Sequence, residues 1–149
     1  YKLAGLQPGD EVILPPITFI ASAAYPLMIG AKVVFADIDP ETVNLDPADV
    51  ARKVTPKTKV IMPVHIGGTV CDMDPIMEIA RQNDIYVIED AAHAQGAKYK
   101  GRYAGTIGHF GGYFFRRANG DGTFIHNNGV FFKNRAKVFR YFKDILQVG

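Results

Sequence analysis

At 149 residues, 48% of them hydrophobic and 21% charged, the chain has an ordinary globular composition and enough length for one domain with a sizeable core. Its formal net charge of +2 is too small to support nucleic-acid binding or attraction to an acidic membrane surface. The single cysteine, Cys71, excludes an internal disulfide and fits a reducing, cytoplasmic compartment.

The opening Tyr1-Lys2-Leu3-Ala4-Gly5-Leu6 reads as the last turn of a helix that ends near Gly5. The far end stops just after an apolar helix, so both ends look like cuts through a larger fold. Val12 to Ala31 is an uncharged run long enough to span a bilayer on length alone. Pro15, Pro16, Pro26 and Gly30 interrupt it, and Thr18, Ser22 and Tyr25 are polar. It therefore reads as a buried strand, a turn and a helix. No charged segment precedes it, which makes it a poor signal peptide as well.

Four short apolar runs, Glu11–Leu14, Lys32–Ala36, Lys59–Pro63 and Ile85–Glu89, read as buried strands. Strands alternating with helical segments at regular intervals predict βαβ crossovers, a mainly parallel sheet and helices on both faces. Thr18 to Ile29 is the first helix, which Pro26 must kink or end early. Asp46 caps a second helix with Pro47 at its first position. Asp74 and Pro75 repeat that device for a third, where Ile76, Ile79 and Ala80 form one apolar face.

After Asp90 the texture changes. Gly96, Gly101, Gly105, Gly108, Gly111 and Gly112 break the chain into short pieces. Tyr99 to Tyr103 looks like a hairpin, and Tyr113–Phe115 and Gly129–Phe132 like two more strands. Asn134 to Leu146 reads as a final helix with Val138, Phe142 and Ile145 on one side. Its basic residues, Lys133, Arg135, Lys137, Arg140 and Lys143, read as a solvated face. No repeat or linker divides the chain.

The chemistry concentrates at Glu89-Asp90-Ala91-Ala92-His93-Ala94, where a parallel strand runs out. Ligands of α/β sheets collect at the carboxyl ends of strands. A carboxylate there either caps the next turn or faces a cationic ring nitrogen or a metal. A carboxylate beside a pyridine nitrogen keeps that nitrogen protonated, and a protonated pyridinium lets pyridoxal phosphate accept electrons. His93 is close enough in sequence to reach the same ligand. His65, after the third strand, reads as a satisfied structural histidine. Asn119 to Phe124 has the glycine spacing of a calcium loop. Arg117 and Asn128 stand where that loop needs carboxylates, so a glycine turn between strands is the reading.

Gly9-Asp10-Glu11-Val12-Ile13, Thr18-Phe19-Ile20-Ala21, Gly30-Ala31, Phe35-Ala36-Asp37-Ile38-Asp39, Pro63-Val64-His65 and Asp72-Met73-Asp74 follow one another in order. So do Ile88 to Ala94, Gly96-Ala97, Tyr99-Lys100-Gly101 and Gly105-Thr106-Ile107-Gly108. This ordered set covers almost the whole chain and resembles the DegT/DnrJ/StrS family of pyridoxal-phosphate-dependent sugar aminotransferases. The resemblance implies an aspartate-aminotransferase-type large domain, of which this chain is the central part, and a homodimer with shared active sites. It implies a keto sugar carried on a nucleotide as substrate and an amino-acid donor, usually glutamate. By the same resemblance Asp90 pairs with the cofactor's pyridine nitrogen and Phe19 stacks on its ring. Phe19 could equally be plain core packing. His93 falls where a Gln or His contacts the cofactor's face or phenolic oxygen. By the resemblance, the family's phosphate-gripping Gly-Thr segment would lie before Tyr1 and is absent from the sequence, as is the small C-terminal domain.

The chain also departs from the pattern. The family reads Phe-Ser-Phe, three residues, then the Schiff-base lysine and a Gly-Glu-Gly-Gly turn. An ungapped count puts Tyr113-Phe114-Phe115 on the first part and Asn119 on the lysine; a shift of one puts Ala118 there. There is no lysine between Lys100 and Lys133. A Schiff base needs an amine, and an Asn amide is not nucleophilic. The alternatives are a non-catalytic homologue serving as a binding or dimerisation module, or a lysine-less sugar dehydratase using His126 or His109. A miscalled segment after Phe110 would also produce the departure.

Overall fold

The computed structural model describes residues 1–118 and 124–132, from residue 114 onward by backbone alone. The sheet is built from strands β1 (Glu11–Leu14), β2 (Lys32–Phe35), β3 (Thr58–Ile61), β4 (Tyr86–Asp90), β7 (Phe110–Ala118) and β8 (Phe124–Phe132). Their spatial order is β2-β1-β3-β4-β7-β8. The first five run parallel, and β8 returns antiparallel beside β7, with Ala118 opposite Phe124. The two strands expected around Tyr113 and Gly129 are present and longer than their apolar cores suggested. The reversal between them and the final helix at 134–146, with its basic face, lie outside the described residues.

Among the described residues three helices cover the sheet: α1 (Ala21–Met28), α2 (Pro47–Lys53) and α3 (Met73–Gln82). Alternate strand residues point to opposite faces, and each face has its own core. Ile13, Ile61 and Val87 pack with Val50 of α2 and with Met73, Ile76 and Ala80 of α3. Val12, Leu14, Val60, Met62 and Ile88 pack with Ala23 of α1 and with Ala4 and Leu6. This division follows from topology. The chain steps from β1 outward to β2, then reverses past β1 to β3 and on to β4. Parallel crossovers are nearly all right-handed, so a reversal of direction sends the crossover helix to the other face.

Three expectations need correction. The second strand is not buried: β2 is the sheet edge, and Phe35 is exposed. An edge strand has one sheet neighbour and less cover, which the apolar sequence Val33-Val34-Phe35 does not reveal. Helix α1 begins at Ala21, not Thr18, and continues through Pro26 to Met28. Pro26 removes the N–H that would reach the Ser22 carbonyl; the Tyr1 hydroxyl donates to that carbonyl instead, at 2.5 Å. Helix α3 starts two residues earlier than expected, with Asp72 as its first flanking residue. Asp74 and Pro75 fall inside the first turn, where a missing N–H is harmless. Asp74 pairs with Lys100, and Asp72 accepts from the Tyr99 hydroxyl at 2.5 Å.

Other readings hold. Asp46 caps α2, its Oδ1 accepting from Ala48 N at 2.9 Å. Lys2–Ala4 forms a short 3-10 turn closed by Gly5 in the left-handed region, with Gly5 N–H on the Lys2 carbonyl. The hairpin consists of β5 (Lys98–Tyr99) and β6 (Arg102–Tyr103), turned by Lys100 and Gly101 at positive φ. No helix among the described residues is long and apolar enough to cross a membrane.

Candidate functional site at the carboxyl end of β4

The Asp90 carboxylate closes β4, beside Gly112 of β7 and bridged to Val64 on the other side. Its backbone is fixed on both edges: Asp90 N–H donates to the Pro63 carbonyl at 2.9 Å, and its carbonyl accepts from His65 N at 3.0 Å. Oδ1 accepts from Ala92 N at 3.1 Å, so the turn-capping reading is half of the truth. Oδ2 accepts from the Ser22 hydroxyl of α1 at 3.2 Å. Both donors are neutral, and Asp90 enters no ion pair among the described residues. A half-buried carboxylate whose described partners are neutral donors has the charge to meet a cationic ligand atom.

Phe19 lies in the loop between β1 and α1, and it is 76% exposed, so it is not core packing. Its carbonyl accepts from Ser22 N at 3.0 Å, which ties it one turn away from the residue that contacts Asp90. Thr18 Oγ1 lies 2.8 Å from Ser22 Oγ in the same turn. Tyr1 packs here as well, stacked on Tyr25. Its phenol is pushed up, first by burial and then by the Asp90 charge.

His93 is exposed in the turn after β4. Its carbonyl abuts Gly68 in the turn after β3. A Cβ at Gly68 would lie 3.3 Å from that oxygen, and φ there is +89°. Asn44 pins the same turn, accepting from Ile66 N at 3.1 Å and donating to the Thr69 carbonyl at 3.0 Å. The loops after β1, β3 and β4 thus bring Phe19, His93 and Asp90 to one end of the sheet. Asn119 lies outside the described residues.

One strand position back, the geometry is the opposite. Glu89 is fully buried and saturated. It accepts from Gly105 N at 2.7 Å, Ile107 N at 2.6 Å, Gly108 N at 2.5 Å and His65 Nε2 at 3.0 Å. His65 Nδ1 in turn accepts from Cys71 N at 3.2 Å. An acceptor Nδ1 places the ring proton on Nε2, where it points at Glu89. His65 is therefore the satisfied structural histidine that its position suggested. Gly108 comes so close that a Cβ would sit 3.0 Å from Val87. Sequence reasoning missed Glu89 and Ser22. The signal for Ser22 was its hydroxyl four residues after Thr18 inside an uncharged run. For Glu89 there was only its place beside Asp90.

A separate hollow of about 540 Å³ lies at the other end of β4, lined by Arg81, Asp84, Ile85, Arg102 and His109 among others. It is remote from Asp90 and shares no residue with the site. No cluster of metal-ligating side chains occurs among the described residues.

The carboxyl end of β4 thus carries a half-buried carboxylate, with an exposed aromatic in the loop that leads to the helix contacting it. The sequence pattern of the DegT/DnrJ/EryC1/StrS aminotransferase family matches residues 1–141, and the chain belongs to that family. GDP-perosamine synthase of Caulobacter vibrioides is 54% identical over 104 residues, which is 70% of this chain and 28% of that protein. The X-ray structure of the aminotransferase from Psychrobacter cryohalolentis superposes with a TM-score of 0.84 at 42% identity, covering 93% of this chain and 35% of that one. The PLP-form of the putative sugar aminotransferase Spr1654 from Streptococcus pneumoniae does so with 0.79 at 28% identity, covering 95% and 40%. The mainly parallel sheet is thus that of the aminotransferase large domain. The chain spans well under half the length of these relatives.

Proposed function

We propose that this chain is the central part of the large domain of a pyridoxal-phosphate-dependent sugar aminotransferase, with a site that grips the cofactor ring but carries no lysine to tether it. The observation that carries the reading is Asp90, a half-buried carboxylate that has two neutral donors and no ion pair among the described residues. In this reading Asp90 faces the pyridine nitrogen and keeps it protonated. Phe19 stacks on the ring, and His93 contacts its face or phenolic oxygen. When bound, the cofactor supplies an electron sink for the carbon that exchanges its amino group. The substrates are a keto sugar on a nucleotide and an amino-acid donor, and the working assembly is a cytoplasmic homodimer. Asn119 stands where the family has its lysine. An amide offers no nucleophile, so the chain holds the ring by non-covalent contacts alone.

The second reading is a non-catalytic binding or dimerisation module. The exposed Ile17, Phe19, Ile20, Leu27 and Met28, on α1 and the loop before it, favour it. The lysine-less dehydratase reading gains nothing from His109. That ring is set back from Asp90, with Nδ1 on Val87 N at 2.9 Å and its edge against Tyr86. Titration with pyridoxal 5′-phosphate, followed by ring absorbance, separates the first two. The unsubstituted chain binds, and Asp90→Asn weakens binding by about tenfold or more, the scale of one charge-assisted contact. Equal binding by both proteins supports the second reading.

A further inference from the structure

We infer that Ser22, backed by Thr18, is a positioning residue that aims the Asp90 carboxylate and couples it to the Phe19 loop. The inference rests on the reading of Asp90 as the partner of the ring nitrogen.

Proton counting sets the direction of the chain. A serine hydroxyl has one hydrogen, and that of Ser22 goes to Asp90 Oδ2 at 3.2 Å. The contact of 2.8 Å between Thr18 Oγ1 and Ser22 Oγ therefore has Thr18 as its donor. The result is an ordered line, Thr18 to Ser22 to Asp90, in which each hydroxyl polarises the next. Ser22 is buried, at 5% exposure, so water does not compete for its proton.

The line fixes a rotamer. With Oδ1 on Ala92 N and Oδ2 on Ser22, both carboxylate oxygens are engaged, one by its own turn and one by α1. Ser22 is itself anchored. Its N–H donates to the Phe19 carbonyl, and its carbonyl accepts the Tyr1 hydroxyl in place of the bond that Pro26 cannot make. The proline in α1 thus frees an acceptor that ties a second segment to the helix turn beneath Asp90. Phe19 sits next to Thr18, so the group that covers a ring face and the group that meets a ring nitrogen are set by one hydrogen-bonded unit.

The test is a double-mutant cycle on the full chain with 4-deoxypyridoxine 5′-phosphate, a ring analogue without an aldehyde, read by calorimetry. Ser22→Ala is expected to weaken binding about tenfold, and to change it less than about twofold in an Asp90→Asn background. Ser22→Thr, which keeps the hydroxyl, is expected to stay within about threefold of the unsubstituted chain. Thr18→Val removes only the outer hydroxyl and gives a smaller loss, about threefold, that also vanishes with Asp90→Asn. A merely structural role predicts equal loss from Ser22→Ala in both backgrounds; that result, or no loss at all, overturns the inference while leaving the reading of Asp90 intact. If Asp90→Asn binds as well as the unsubstituted chain, or the unsubstituted chain does not bind, the reading of Asp90 fails and the inference with it.

Discussion

Along β4, Val87 and Glu89 face α2 and α3, whereas Ile88 and Asp90 face α1. The two carboxylates are adjacent in sequence and live in different chemistry. Glu89 accepts four hydrogen bonds and is sealed from water. Among the described residues Asp90 accepts two and remains half-exposed, and Phe19, in the loop before α1, is 76% exposed. The sealed face holds the loop 105–108 and the end of β3 in place. The open face keeps a charge and an apolar surface available. A buried polar group with every partner made stabilises a fold; a group left with spare capacity at a strand end is where a ligand is expected.

The largest contrast should appear in thiol chemistry. Cys71 lies in the sealed core, and its Sγ–H donates to the Val64 carbonyl at 3.2 Å. Burial pushes its thiol up to about 12, with the Glu89 charge adding a little. Alkylating reagents need the thiolate. At pH 8 the native chain should therefore react about a thousandfold more slowly than the denatured chain, whose thiol is ordinary. Comparable rates would show that this face is not sealed.

Next in size is Glu89→Ala. It leaves three buried N–H groups and the His65 ring proton without an acceptor, and should destabilise the fold by about 3–5 kcal/mol in urea unfolding. A loss below about 1 kcal/mol would mean that the loop finds water or other partners. Gly68→Ala adds a Cβ at φ +89° against the His93 carbonyl. It should destabilise by about 1–2 kcal/mol and shift the His93 turn. An unchanged melting temperature would show that this turn yields easily.

The smallest effect on stability belongs to the open face. Phe19→Ala removes a side chain that is 76% exposed, so stability should move by no more than about 0.5 kcal/mol while ring binding falls. A loss of stability equal to that of a core phenylalanine would place Phe19 in a packed environment and blur the two faces.

Much of this was legible in the sequence. The four parallel strands, the caps at Asp46 and Gly5, the interrupted apolar run and the place of Asp90 at a strand end all followed from local patterns. What escaped depends on neighbours distant in sequence. Whether Val33-Val34-Phe35 is central or at an edge is decided by strand order. The start of α3 is decided by what Lys100 and Tyr99 offer to Asp74 and Asp72. Pro26 stays inside α1 because Tyr1 supplies the missing donor. Glu89 is given its role by a loop sixteen or more residues away. Phe19 shows the same limit from the other side, since an aromatic in an apolar run can lie in the core or at the surface, and only its exposure tells which.

The central claim is that this chain keeps the ring-gripping half of the site without the covalent tether, and one measurement bears on it most directly. The full chain and its Asp90→Asn variant are each saturated with pyridoxal 5′-phosphate, reduced with borohydride and mapped by mass spectrometry. The account predicts ring binding that depends on Asp90, with no reduced pyridoxyl group fixed in an Asp90-dependent way anywhere between Lys100 and Lys133. A stoichiometric adduct in that segment, or at a single lysine and lost in Asp90→Asn, would contradict it.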